Sequence, residues 1–351
     1  MPKFHTHLIL NLRNSRIIEN LDFSNSDFKL ELLPEPTKCF WESKDGMGEI
    51  HYGGGKNENH FNDRLEFQQN ELIITCSDES IADNALSLLK GGILLAYPDP
   101  STTLLDLYVS NMDERSPEFY KNYPDNFRKL ESTAFGCQIL NKIITKKDES
   151  YALEKYKVSL ELLSFTPQSA DPKYGQVFDH YAYEKRNHTR AAFAVITAFS
   201  AIEELGLEIR SSAKNPRFIN NTEGEWNPKV LKNILKRLNK KGINDTDTFD
   251  WIFRGEQTEI EKNIKPYFGI DSEWIKYGEN VRDKTLTYPE ALHNASYLRN
   301  YIAAHKFKEL TQFISPYDVF NVQMLTRKLI LESLGMWDIM LDRNKTVANN
   351  V

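Results

Sequence analysis

The residues of this chain best equipped for chemistry lie in one run, Arg299-Asn300-Tyr301-Ile302-Ala303-Ala304-His305. It sets a permanent cation, an amide and an imidazole close together. Arginine is charged at any working pH and grips phosphate through a planar fork of donors. Histidine both takes and gives a proton near neutrality. Together they suffice to cleave RNA without a metal, because the ribose 2′-OH is itself the nucleophile. The protein then has to supply only proton transfer and charge stabilisation.

The run sits in a helical pattern. Pro289 suits a first turn, with Thr287 or Tyr288 as cap, and Leu292, Ala295, Leu298, Ile302 and Ala303 recur at helical spacing to about Phe307. Residues six apart lie roughly 120° around a helix and about 9 Å along it, so spacing alone does not put Arg299 and His305 on one face. The length of arginine spans much of that gap. A second copy of the helix across a twofold axis would also bring two pairs around one phosphate. The plainer alternative is a surface arginine and a histidine that caps the last carbonyls.

Two other helices bear on a site. Residues 179–210 read as one long helix, on which Arg190, Ala194, Thr197, Ala201 and Glu204 form a single stripe. Small residues there let another helix approach closely, and Glu204 is then a candidate partner for Arg299; otherwise Glu203 and Glu204 are surface acids. In "WNPKVLKNILKRLNKKG", Asn227 is a cap, Pro228 a first residue and Gly242 a stop, with Val230, Leu231, Ile234, Leu235 and Leu238 facing inward. Lys229, Lys232, Lys236, Arg237, Lys240 and Lys241 load the remaining surface. Lys232, Lys236, Arg237 and Lys240 are candidate contacts to an RNA backbone, or else simply a solvated face.

Arginine, a polar residue, four more and then histidine, as in "SYLRNYIAAHKF", resembles the signature of the HEPN superfamily. The resemblance covers about 150–345 and includes "RAAFAVITAFSAIEELGLEI" and "VFNVQMLTRKLILESLG". It implies catalytic roles for Arg299 and His305, with Asn300 in the polar slot supporting them; the stripe on the 179–210 helix adds Glu204 and Arg190 as supporting candidates. Many members are metal-independent endoribonucleases of toxin–antitoxin and antiviral systems. Others have lost activity and serve as binding or dimerisation modules. The implied partners are an RNA substrate, a second copy of the chain, and an inhibitor or trigger protein. No cofactor and no metal is expected.

The rest of the chain sets the context for that run. A length of 351 residues suggests two domains. The expected fold is an α+β domain with a mostly antiparallel sheet at 1–115, a linker with accessory helices at 116–178, and an all-α, HEPN-like bundle at 179–345. Strand-like runs fall at 7–12, 28–33, 49–52, 64–67, 72–76, 93–97 and 104–109, with a hairpin turn at Gln69-Asn70. One helix interrupts them, with Gly91-Gly92 as its stop. The polar segment 110–126, with Pro117 and Pro124, reads as a connector.

A net charge of −6 argues against a general nucleic-acid coat, while leaving room for a local cationic patch. Cys39, Cys76 and Cys137 form neither a disulfide framework nor a zinc knuckle. With no apolar run of membrane-spanning length and no leader pattern, a cytoplasmic location is expected. "GGGK" at 53–56 lacks the spacing of a phosphate loop, and His5 and His7 have no further metal-ligand partner nearby. Arg186, His188 and Arg190 lie near the start of the long helix without repeating the Arg-to-His spacing.

Overall fold

The computed structural model describes residues 1–11, 23–24, 28–44, 47–52, 63–96, 108–109, 127–164, 185–221, 223–253, 264–268, 282–304, 314 and 316–338. They divide into two compact units, Met1–Ser150 and Tyr151–Val351. The whole is a mixed α and β protein with most of its described residues helical, and its strand pairs are antiparallel. Among the described residues no helix is long and apolar enough to cross a membrane.

In the first unit β1 (Lys3–Asn11), β2 (Phe23–Ser24), β3 (Phe28–Lys44), β4 (Met47–Tyr52), β5 (Asp63–Cys76) and β6 (Tyr108–Val109) form one sheet. Its order is β2-β3-β5-β1-β6, with β4 added on β3. The hairpin expected at Gln69-Asn70 does not form. Both residues lie inside β5, opposite Ile9 and Leu8. β5 is a central strand whose two neighbours satisfy its backbone along most of its length, and that pairing overrides the local turn preference.

Nor does the glycine pair stop the helix. α1 (Glu79–Ala96) starts where the Asp78 carboxylate accepts from Ser80 N at 3.0 Å, and it continues through Gly91, Gly92 and Ile93. The strand expected at 93–97 is therefore the end of this helix as far as Ala96. A Cβ on Gly92 would lie 2.8 Å from the carbonyl oxygen of Gly136. Gly136 belongs to α2 (Phe127–Ile143), so these glycines let two helix backbones approach closely. α2, expected among the accessory helices, packs on α1 and β1 in the first unit.

The second unit is built on α3 (Lys147–Leu162), which crosses the boundary at its start, with α4 (Lys185–Glu204) and α7 (Pro316–Ser333). A buried polar network joins them. Ser159 Oγ donates to Ala194 O at 2.8 Å, and Gln323 Nε2 donates to Ser159 Oγ at 2.9 Å and Leu163 O at 2.7 Å. Thr326 Oγ1 donates to Ala198 O at 3.1 Å. Ala194 and Ala201 are fully buried, as a small-residue stripe under a packed helix should be.

This unit is not all-helical. Two antiparallel ribbons interrupt it: β7 (Phe218–Asn220) with β8 (Glu225–Trp226), and β9 (Thr248–Phe253) with β10 (Arg282–Thr287). "TFDWIF" is aromatic, β-branched and alternating, with Phe249 and Trp251 buried on one face, so its period of two favours a strand. Asn321 on α7 closes the outer edge of β9, accepting from Ile252 N at 2.9 Å and donating to Ile252 O at 2.8 Å.

The remaining helices follow their local signals. α5 (Pro228–Lys240) is capped by the Asn227 side chain and followed by Gly242 at φ +77°. α6 (Tyr288–Ala304) begins at Thr287, whose backbone N and hydroxyl both donate to Glu290 Oε2, at 2.7 and 2.9 Å. The "GGGK" segment and the 110–126 connector lie outside the described residues.

Candidate functional site

α6 carries the candidate site because little of its surface is left to solvent. Residues 288–296, apart from the half-buried Glu290, are buried. The open stripe is Tyr297, Arg299, Asn300 and Tyr301, all intermediate or exposed. Arg299 Nη1 donates to Asn300 Oδ1 at 2.9 Å, and Nη2 lies 3.3 Å from Glu203 Oε1 on α4. Each side chain of the ion pair is about one-third exposed (33%). Such a pair contributes about 0–1 kcal/mol to stability, so its main effect is to orient the guanidinium.

The acid that meets Arg299 is therefore Glu203 and not Glu204. One residue along a helix turns the side chain by about 100°. Glu204 instead pairs with Lys155 on α3, Oε2 to Nζ 2.5 Å. Arg190 donates through Nε to Leu162 O at 2.6 Å, which caps the last turn of α3. His305 lies outside the described residues.

The basic helix divides its cations. Lys232, Lys236 and Lys240 are exposed. Arg237 turns inward, donating to Gly206 O at 3.1 Å and Glu208 O at 2.7 Å, and lies 3.6 Å from Glu208 Oε2. Its guanidinium ties α5 to the turn after α4, and that local use removes it from an open RNA-contact row.

A cavity of about 420 Å³ opens beside Asn300. Its walls include Arg217, Lys265, His293, Tyr297, Asn300 and Tyr301. His293, Tyr297 and Asn300 stand at i, i+4 and i+7 on α6 and so share one face. His293 is 2% exposed. Its Nδ1 lies 2.7 Å from Arg217 Nη1, and its Nε2 lies 3.1 Å from Pro266 O. Arginine only donates and a carbonyl only accepts, so Nδ1 is the acceptor and Nε2 carries the proton. Burial first, and the neighbouring Arg217 charge second, push the imidazole down to about 3. It is neutral at physiological pH.

Arg217 also donates through Nη2 to Ser296 Oγ at 3.2 Å. Burial lowers its guanidinium to about 10, which still leaves it charged at pH 7. No carboxylate pairs with it among the described residues. Phe218 presents an edge contact to His293 at 4.8 Å between ring centroids, and Phe268 another at 5.5 Å. Trp226 stacks parallel to Phe268. Gly224, at φ +72°, makes the β7–β8 turn with no Cβ to strike Phe268, which lies 3.0 Å from where that Cβ would be. Asn294 Nδ2 donates to Phe268 O at 3.0 Å, so two successive side chains of α6 hold residues 264–268 in place.

Reading the sequence alone missed this cavity. Arg217, Lys265 and His293 come from three separated segments, and a histidine between apolar helical residues looks like core. The available signal was the polar cluster His293, Asn294 and Ser296 on a helix whose remaining positions are mostly apolar. Among the described residues no group of three His, Cys, Asp or Glu side chains is placed to hold a metal. Comparison with known families, curated proteins and solved structures finds no match to this chain.

Proposed function

We propose that the chain is a metal-independent endoribonuclease of the HEPN type that cleaves RNA by attack of the 2′-OH, acting as a defence or toxin effector. The observation that carries this reading is the Arg299–Asn300 hydrogen bond, oriented by Glu203, on the open stripe of α6. It supports a pre-set guanidinium and amide where a phosphate can reach them. In this reading Arg299 stabilises the charge that develops on the phosphorane, and His305 moves the protons of the 2′-OH and the leaving 5′-oxygen. Asn300 keeps its amide N–H donors for the phosphate, since its oxygen is held by Arg299. Lys232, Lys236 and Lys240 supply backbone contacts on the exposed side of α5. The first unit chooses the substrate or senses a trigger.

The test is to incubate the purified chain with total RNA in EDTA and analyse the ends. Fragments with 2′,3′-cyclic phosphate and 5′-hydroxyl termini are expected, and intact RNA overturns the reading. Assembly is part of the proposal, because one chain supplies one Arg–His pair. A homodimer across the α6 helices would scatter light as about twice 40.8 kDa. The competing reading is a non-catalytic dimerisation and binding module. It draws support from Arg299 itself, both of whose terminal nitrogens already have protein partners.

A further inference from the structure

We propose that the cavity between β7, the 264–268 segment and α6 binds an organic phosphate monoester, a small ring-bearing molecule that is dianionic near neutral pH. The inference does not require the ribonuclease reading, because it turns on Arg217 and Lys265 rather than Arg299 and His305, with Asn300 alone common to both.

The argument begins with charge. Arg217 is largely removed from water and remains cationic, and buried cations are ordinarily paired. Its two partners among the described residues, His293 Nδ1 and Ser296 Oγ, are neutral acceptors. They fix the guanidinium in position without compensating it. His293 cannot supply a negative charge: burial and the adjacent Arg217 charge keep it neutral, and its donation to Pro266 O fixes the tautomer. Among the described residues that charge is uncompensated, and Arg217 lines a cavity in which Lys265, an exposed cation, forms another part of the wall. Two cations around one opening match a dianion better than a monoanion.

The remaining wall describes the rest of the ligand. Phe218, Tyr297 and Tyr301 present ring surface, while Ser211 and Asn300 offer hydrogen-bonding groups. A cavity of about 420 Å³ is of the size that takes one small organic molecule. Phosphate on Arg217 and Lys265, with a flat ring against the tyrosines, uses each of these features. A free metabolite and the terminal nucleotide of a longer chain share that chemistry.

Isothermal titration of the full chain at pH 7.5 tests this with phenyl phosphate as the minimal probe. Inorganic phosphate, benzoate and uridine 5′-monophosphate serve as comparisons. Phenyl phosphate should bind at least about tenfold more tightly than benzoate, which lacks the second charge, and than inorganic phosphate, which lacks the ring. Uridine monophosphate binding more tightly than phenyl phosphate identifies a nucleotide as the source; weaker binding identifies a smaller ester. Lys265→Ala should weaken the phosphate esters about tenfold, and Arg217→Gln on the order of 100-fold. Circular dichroism checks the fold of both variants, and if Arg217→Gln unfolds, Lys265→Ala decides. Absence of binding at millimolar phenyl phosphate, equal binding of benzoate, or unchanged affinity in Lys265→Ala overturns the proposal.

Discussion

Arg217 Nη1 lies 2.7 Å from His293 Nδ1, so a guanidinium from the strand side and an imidazole from α6 meet as donor and acceptor. The contact requires a neutral histidine. A protonated ring would present a second cation to the first and lose its acceptor at Nδ1. The same pairing fixes which ring nitrogen carries the proton and holds Pro266 in place through the other.

That relationship makes stability depend on pH. His293 falls from its ordinary value of 6.5 to about 3 in the folded chain. Below pH 6.5 the unfolded chain takes up a proton that the folded chain refuses. The stabilisation is therefore full above pH 6.5 and drains away as pH falls toward about 3. The loss by pH 5 should be about 2 kcal/mol from this residue alone, at 1.36 kcal/mol per unit of pH. Urea midpoints at pH 7.5 and 5.0 measure it. His293→Gln should be less stable at pH 7.5 but should lose less on acidification. An unchanged pH slope in that variant removes His293 as the cause.

The ribonuclease reading makes distinct demands on Glu203, Arg299 and His305. His305→Ala should slow RNA cleavage by on the order of 10²–10⁴-fold, the scale for losing an acid–base group. Arg299→Ala should act similarly through lost charge stabilisation. Arg299→Lys should not restore the rate, since a point charge lacks the fork that spans Glu203 and Asn300. Glu203→Gln should cost less than about tenfold, because it loosens the orientation and leaves the reacting groups in place. A gel assay in EDTA reads all four. Undiminished cleavage in the Arg299→Ala, His305→Ala double variant would eliminate this mechanism.

Where sequence and structure agree, a short-range signal decided the outcome. Asn227, Pro228 and Gly242 mark α5 because caps act within one turn, and Thr287 and Pro289 mark the start of α6 for the same reason. Disagreement arises where a distant partner decides. Gln69-Asn70 has the composition of a turn, yet β1 and β3 hold it extended. Gly91-Gly92 has the composition of a stop, yet α2 needs a bare surface there. Glu203 and Glu204 are adjacent acids, and only the placement of α3 and α6 shows which one meets Arg299 and which meets Lys155. The cavity draws on three separated segments at once, with Arg217 and His293 76 residues apart.

The α1–α2 contact should be intolerant of a single methyl group. A Cβ on Gly92 would meet Gly136 O at 2.8 Å, Gly136 Cα at 2.9 Å and Ile139 Cβ at 2.9 Å. Two of those atoms are backbone, so relief requires the helices to separate. Gly92→Ala should therefore destabilise the first unit by about 1–3 kcal/mol, despite the better helix propensity of alanine. Thermal melting followed by circular dichroism gives the comparison, and a variant as stable as the parent would show that the helices separate at no cost.

Asn321 offers the cleanest test of how β9 is held. In an antiparallel pair alternate residues turn both backbone groups away from the partner strand. Ile252 is such a residue, and both its N–H and its C=O are taken by Asn321, at 2.9 and 2.8 Å. Asn321 is 1% exposed, so water is not at hand to replace it. Asn321→Leu keeps the branched shape and the number of side-chain heavy atoms and removes both hydrogen bonds, leaving two buried backbone groups unpaired. The expected cost is about 2–6 kcal/mol, at about 1–3 kcal/mol for each stranded group. Asn321→Asp keeps the acceptor for Ile252 N but loses the donor to Ile252 O, and sets a carboxylate against that carbonyl. It should approach the parent at low pH, where the acid is protonated and donates again, and fall behind as pH rises. Urea denaturation of the three proteins across pH 4–8 checks the ordering. A leucine variant within about 0.5 kcal/mol of the parent, the scale of an ordinary surface substitution, would mean that β9 does not depend on this clamp.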